Sequence, residues 1–165
     1  MILPQTAEYA LRAMACLAAL PPGEGLRNRD LAAAAHIPSA YLSKILRRLV
    51  RDGLLRSHKG HHGGFQLARP AAEITFADVL AAAEVDLHGE RCAFGWEKCN
   101  SEAPCPLHPS YSELKRELST WALRTSLADV DQGAVRAAFE RARAEAAAEL
   151  IEEIEPSTDE VNQEG

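Results

Sequence analysis

Three of the four cysteines, Cys92, Cys99 and Cys105, fall within fourteen residues of one another, and His108 follows the last of them after two residues. Thiolates and imidazole are soft and borderline ligands suited to iron, copper or zinc. The gaps of six and five residues between the cysteines do not make the two tight pairs that a zinc ribbon grips with knuckle turns. A loosely spaced loop suits an iron–sulfur cluster better, because a bulky cluster has to be wrapped from several sides, with the imidazole of His108 completing fourfold ligation. Structural zinc, or three reduced thiols without metal, is the alternative. Cys16 stands apart in an apolar run and reads as a small core residue. Another group, His58, His61 and His62, has no carboxylate or cysteine close in sequence and reads as a polar loop rather than a metal site. No Cys-x-x-Cys pair, phosphate-binding loop or nucleophile–base pattern is present, which argues against an enzyme.

The chain of 165 residues carries 18 Lys and Arg against 24 Asp and Glu, a net charge of -6. That average argues against a nucleic-acid partner, but its distribution does not. Residues 1–70 hold ten basic against four acidic side chains, residues 71–133 five against eleven, and residues 134–165 three against nine. Lys44, Arg47, Arg48, Arg51, Arg56 and Lys59 lie within sixteen positions, a basic cluster of the kind that neutralises phosphates. The N-terminus lacks a basic leader, and the apolar run to Leu20 is broken by Arg12 and stopped by Pro21-Pro22. Neither an export signal nor a membrane span is expected, so a cytoplasmic location with reduced thiols follows.

These groups need elements to position them. Apolar spacing predicts a helix over 6–20 through Tyr9, Leu11, Met14, Leu17 and Leu20. Asn28 is a candidate cap for a short helix to Ala35, and Ser39 for a second helix to Arg51. Leu42, Ile45, Leu46 and Leu49 form the inner face of that second helix; Tyr41, Ser43, Lys44, Arg47 and Arg48 are left outward. The order helix, tight turn, helix is a helix-turn-helix whose second helix has the size to enter a major groove. Gly53 closes it, and Leu54–His58 with Phe65–Ala68 predict a hairpin wing whose glycine-rich tip carries Lys59 and His61. Thr75 with Asp78 predicts a capping box for a short helix, 76–83, and Ser110 with Glu113 another for a longer helix through Arg124. The longer helix carries an apolar stripe of Tyr111, Leu114, Leu118 and Trp121. Residues 134–155 are a further helix candidate with no assigned mechanism, and 156–165 are read as disordered. The fold class is thus mainly α, a winged helix-turn-helix with a small β-hairpin wing plus a long dimerisation helix. The expected division is a DNA-binding domain at 1–86, a cluster loop at 87–108, a dimerisation helix at 109–130 and an acidic tail at 131–165.

The segments Tyr9–Met14, Ile37–Leu46, Gly53–Leu55, Lys59–Phe65, the three cysteines and Ser126–Val130 together resemble the Rrf-two family of bacterial winged-helix transcription regulators, over about residues 1–130. The resemblance implies a homodimer that binds a palindromic operator on double-stranded DNA, usually as a repressor, and senses iron–sulfur status, nitric oxide or redox state. It implies DNA contacts from Tyr41, Lys44 and Arg48 and from Lys59 in the minor groove; Ser39, Arg47 and His61 complete the expected DNA-binding set. It also implies that Cys92, Cys99 and Cys105 are cluster ligands. The fourth ligand is open: His108 would suit a 2Fe-2S cluster, the first choice, whereas Glu8, contributed across a dimer as in nitric-oxide-sensing members, would suit a 4Fe-4S cluster. A regulator with structural zinc or metal-free cysteines that answers to a protein partner is the competing function.

Overall fold

The computed structural model describes residues 3–58, 63–87, 92–96, 99–100, 102–138, 140–141 and 144. The element order is α1 (Gln5–Ala18), α2 (Asn28–Ala35), α3 (Ser39–Arg51), β1 (Leu55–His58), β2 (Gly64–Leu67), a 3-10 turn (Ala71–Glu73), α4 (Phe76–Ala82), α5 (His108–Arg124) and a second 3-10 turn (Leu127–Asp129). The architecture is mainly helical with one antiparallel hairpin, the expected winged helix-turn-helix class. The wing tip, with Lys59 and His61, and most of the predicted tail helix lie outside the described residues; the chain is helical at 132–138.

One core unites the head. Met14 of α1, Leu31 of α2, Leu42, Leu46 and Leu49 of α3, Val79 and Leu80 of α4 and Leu127 after α5 are fully buried together. The face α1 turns inward is smaller than its long apolar side chains suggest. Ala7, Ala10 and Ala13 are fully buried beside Met14 and Leu17, whereas Tyr9 and Leu11 pack at its margin. Alanines let the neighbouring helices approach closely at little cost in side-chain entropy. Cys16, 5% exposed in this core, has its thiol pushed up to about 11 by burial, with Arg12 opposing, which suits an inert packing residue.

The turn between α2 and α3 begins with His36 in the left-handed region (φ 49°), Ile37 N–H returning to the Ala32 carbonyl at 2.9 Å. Two caps expected from residue type are not made. Asn28 lies inside α2, whose N-cap is Arg27, and Ser39 begins α3 after Pro38. Instead the Asn28 side-chain amide donates to Ser39 O (3.3 Å), Ser39 Oγ (3.2 Å) and Ser43 Oγ (2.7 Å). The two cap-type residues clasp the two helices to each other rather than satisfying their own helix ends. Gly53, at φ 73°, takes the left-handed position that closes α3, as its position predicts.

The hairpin register pairs Leu55 with Leu67 and His58 with Gly64. A third, single-residue rung appears where Leu26 bridges Phe65, with reciprocal hydrogen bonds of 3.0 and 2.8 Å. Gly64 therefore has a structural reason to be glycine: a Cβ there would sit 2.5 Å from the Leu26 carbonyl oxygen. Gly64→Ala is expected to break this rung and destabilise the protein by roughly 2–3 kcal/mol, the range for overpacking combined with a lost backbone pair. Thermal unfolding measures the loss; an unchanged Tm would contradict it.

The predicted Thr75–Asp78 capping box is present at α4, with hydrogen bonds of 2.9 and 3.1 Å. The Ser110–Glu113 box is not. Helix α5 already starts at His108, with Pro109 in its first turn, and Ser110 Oγ donates to Leu107 O at 3.2 Å. At its far end α5 is tied to the head: Phe76 N–H donates to Thr125 O (2.8 Å), Leu127 N–H to Ile74 O (2.9 Å), and Ala122 is fully buried in the head core.

Candidate nucleic-acid interface and metal centre

Helix α3 advances 100° per residue, so its buried residues Leu42, Ile45, Leu46 and Leu49 define an inward direction. Ala40, Lys44, Arg47 and Arg51 point directly away from it. Lys44 and Arg47 are exposed, and Arg47 Nε donates to Ser43 O at 3.2 Å, which lays its guanidinium along the helix surface. Arg51 is exposed but engaged by Asp52 at 2.8 and 3.3 Å. Ser39 is exposed at the N-terminal end, its hydroxyl and carbonyl occupied by Asn28.

Tyr41 and Arg48 lie on the flank of α3. The Tyr41 hydroxyl is 2.6 Å from Thr6 Oγ1, and its ring meets Tyr9 edge-on at 5.6 Å. Arg12 stands over the same Tyr9 ring at 5.5 Å while donating to the Ala35 carbonyl at 3.0 Å. Arg48 pairs with Glu84, at the end of α4, at 3.1 Å. Both flank residues thus already have protein partners from α1 and α4. Sequence reading missed these partners because they lie 35 and 36 positions away.

The three loop cysteines come together. Their sulfur atoms all lie within 4.8 Å of one another, and Cys92, Cys99 and Cys105 are 7, 4 and 4% exposed. They form a buried cluster separate from the head core. A tight turn at Cys92–Gly95 (Gly95 N–H to Cys92 O, 2.9 Å; φ 73° at Gly95) brings the Trp96 amide to Cys92 Sγ at 3.3 Å. Asn100 Oδ1 accepts from the amides of Glu102 and Ala103, both at 3.0 Å, and shapes the return to Cys105. The Cys105 amide donates to Cys99 Sγ at 3.4 Å, and His108 Nδ1 lies 3.1 Å from the same sulfur.

Burial raises the Cys92 thiol, but amide donors at Trp96 and Phe94 and the neighbouring thiols outweigh it, leaving its pKa below the ordinary value. Burial and a hydrogen bond with Cys99 push Cys105 the other way. Cys92 is thus more readily ionised than an ordinary thiol, and three thiolates this close together would need a cation between them. His108 also occupies the first turn of α5, where the partial positive charge of the helix end favours thiolates. Glu8, half-buried on α1, does not belong to this group within the single chain.

A reading helix with an outward basic face, a wing and a separate thiol cluster define a winged-helix DNA-binding transcriptional regulator. The profile of the Rrf2 family, described as iron-dependent transcriptional regulators, matches residues 3–133. The chain belongs to the Rrf2 family. An HTH-type transcriptional regulator of Mycobacterium tuberculosis is 40% identical over 129 residues, covering 78% of this chain and 80% of that one. The regulator NsrR of Geobacillus kaustophilus is 33% identical over 127 residues, covering 74% and 86%. Among solved structures, CymR, titled the global cysteine regulator of B. subtilis, superposes with a TM-score of 0.65 at 20% identity, covering 78% of this chain and 95% of CymR. The IscR of T. potens does so with a TM-score of 0.62 at 21% identity, covering 78% and 85%. These neighbours are regulators, not enzymes, and no described helix is long and apolar enough to cross a membrane.

Proposed function

We propose that this chain is a homodimeric repressor that binds a palindromic operator and senses iron–sulfur status, nitric oxide or redox state through a cluster held by Cys92, Cys99, Cys105 and His108. The observation that carries the cluster is the buried trio of sulfurs within 4.8 Å, with His108 Nδ1 3.1 Å from Cys99 Sγ. Three thiols and one imidazole are the donor set of a 2Fe-2S site; Glu8 of a second subunit is the alternative fourth ligand, for a 4Fe-4S site. The cluster would supply an iron centre open to electrons, oxygen and nitric oxide. The chain's own residues bury it, donate amide hydrogen bonds to its sulfur ligands and tie its loop to α5. A cytoplasmic site of action accords with this chemistry.

One observation favours a second reading. Sulfurs this close also fit a single tetrahedral ion, for which Zn–S bonds of about 2.3 Å place sulfurs roughly 3.8 Å apart. Anaerobic isolation separates the two. A cluster gives visible absorption, equimolar iron and sulfide, and bleaching by nitric oxide or air, whereas colourless protein with about one zinc per chain would overturn the cluster.

On the DNA side, Lys44 and Arg47 are assigned to the duplex as the exposed cations at the centre of the outward face, with Ser39 and Tyr41 at its margin and Lys59 and His61 from the wing. Lys44→Ala is expected to weaken binding to any duplex about three- to tenfold and to reduce the salt slope by about one. Titrations at several salt concentrations check this, and an unchanged slope would remove Lys44 from the interface.

A further inference from the structure

The end of α4 is built in an unusual way. Glu84 adopts φ 61°, a left-handed conformation that glycine takes freely and a side chain does not. Its N–H returns to Ala81 O and the next one, of Val85, to Leu80 O, both at 2.9 Å, so the residue terminates α4 where glycine is the usual choice. A carboxylate there gains nothing for the helix, since anions are disfavoured at a helix C-terminus. What it does reach is α3: Glu84 Oε2 lies 3.1 Å from Arg48 Nη2. The same carboxylate also attracts the neighbouring Arg51 guanidinium, more weakly than Asp52 does. A costly conformation combined with a charge aimed at the basic helix points to a role in what that helix does.

We propose that Glu84 is a positioning residue of the DNA-reading head: it holds the Arg48 guanidinium against the flank of α3 and so withholds one cation from the DNA backbone. Arg48 is thus a reserve contact that becomes available to DNA when its pairing with Glu84 is lost. The inference rests on α3 being the DNA-facing helix. Glu84 lies eight residues before Cys92 in the sequence.

The test is binding of the full-length protein to a generic DNA duplex, without an operator, at several salt concentrations. Glu84→Gln removes the charge and keeps the shape. Binding should tighten about fivefold near 0.1 M salt, and the slope should steepen by about one, the signature of one more phosphate contact. In an Arg48→Ala background the same substitution should change neither quantity. Glu84→Gly should reproduce the gain without lowering Tm, because it relieves the left-handed strain, an outcome that a purely structural role for the side chain does not give. An equal gain with and without Arg48 would show only a long-range field and overturn the proposal. So would unchanged affinity and slope in a protein that Lys44→Ala weakens. If Lys44→Ala also leaves binding unchanged, α3 is not the DNA-facing helix, and both readings fall together.

Discussion

Cys99→Ala is expected to leave the anaerobically isolated protein colourless, with iron and acid-labile sulfide falling from the proposed one cluster per subunit to near zero. Cys99 is the centre of the thiol group: its sulfur accepts the Cys105 amide and meets His108 Nδ1. Removing it deletes a ligand and also the atom that organises two other donors. In the proposed site of three thiolates and one further donor, a lost thiolate removes one of four bonds from a binding free energy that for structural metal sites is on the order of 10 kcal/mol or more. The head should nevertheless stay folded, because the cysteine cluster and the main core do not share residues. Circular dichroism and Tm of the metal-free forms should therefore match. Cys16→Ala is the matched control: its thiol lies in the main core, so iron content should persist while stability falls by roughly 1 kcal/mol. His108→Ala and Glu8→Ala then divide the fourth-ligand alternatives, since only loss of the true ligand shifts the visible spectrum. Cys99→Ala protein that still carries iron and sulfide would overturn the ligand set.

Residues reach the reader of a sequence in proportion to how locally their roles are set. Helix α3 was legible to within one residue of its start, because Leu42, Ile45, Leu46 and Leu49 repeat with the helix period and Gly53 marks its end. The cysteines were legible by type and spacing alone, although the turn at Gly95 that carries the Trp96 amide to Cys92 was not read from the loop. Asn28 and Ser39 mislead for a physical reason: a side chain suited to capping can equally bond a neighbouring helix, and residue type does not say which. Ser110 and Glu113 mislead because α5 begins earlier, at His108. The single rung between Leu26 and Phe65 has no periodicity to read, so the sequence gives no sign that Gly64 is demanded by a carbonyl 2.5 Å from its absent Cβ. Tyr41 and Arg48 look like free DNA-facing residues on a helical wheel. Their partners Thr6 and Glu84 are set by tertiary packing.

The same distinction between local and long-range information governs the proposed dimer. Along α5, Leu107, Leu114 and Trp121 stand at seven-residue intervals and are 44, 53 and 43% exposed, with Tyr111 and Leu118 half-buried between them. Steps of four and three residues are the seam of a two-stranded coiled coil. The buried residues of the helix, Ser119 and Ala122, turn another side toward the protein's own head. Trp121 at one end of this row also meets Phe76 of α4 edge-on at 5.2 Å, so the row is most open at Leu114; the homodimer proposed above would join here, and two heads joined in this way would match two half-sites on DNA. Leu114→Asp places a charge in the middle of the seam and should convert a dimer of about twice 17.9 kDa into monomers, read by light scattering or sedimentation. Operator affinity should fall at least about a hundredfold, because each head then binds its half-site alone and loses the effective-concentration gain of a linked pair. Affinity of each head for generic duplex should change far less, since Lys44 and Arg47 are untouched. A protein that remains dimeric with Asp at 114, or a monomer that keeps full operator affinity, would show that α5 does not join the reading heads.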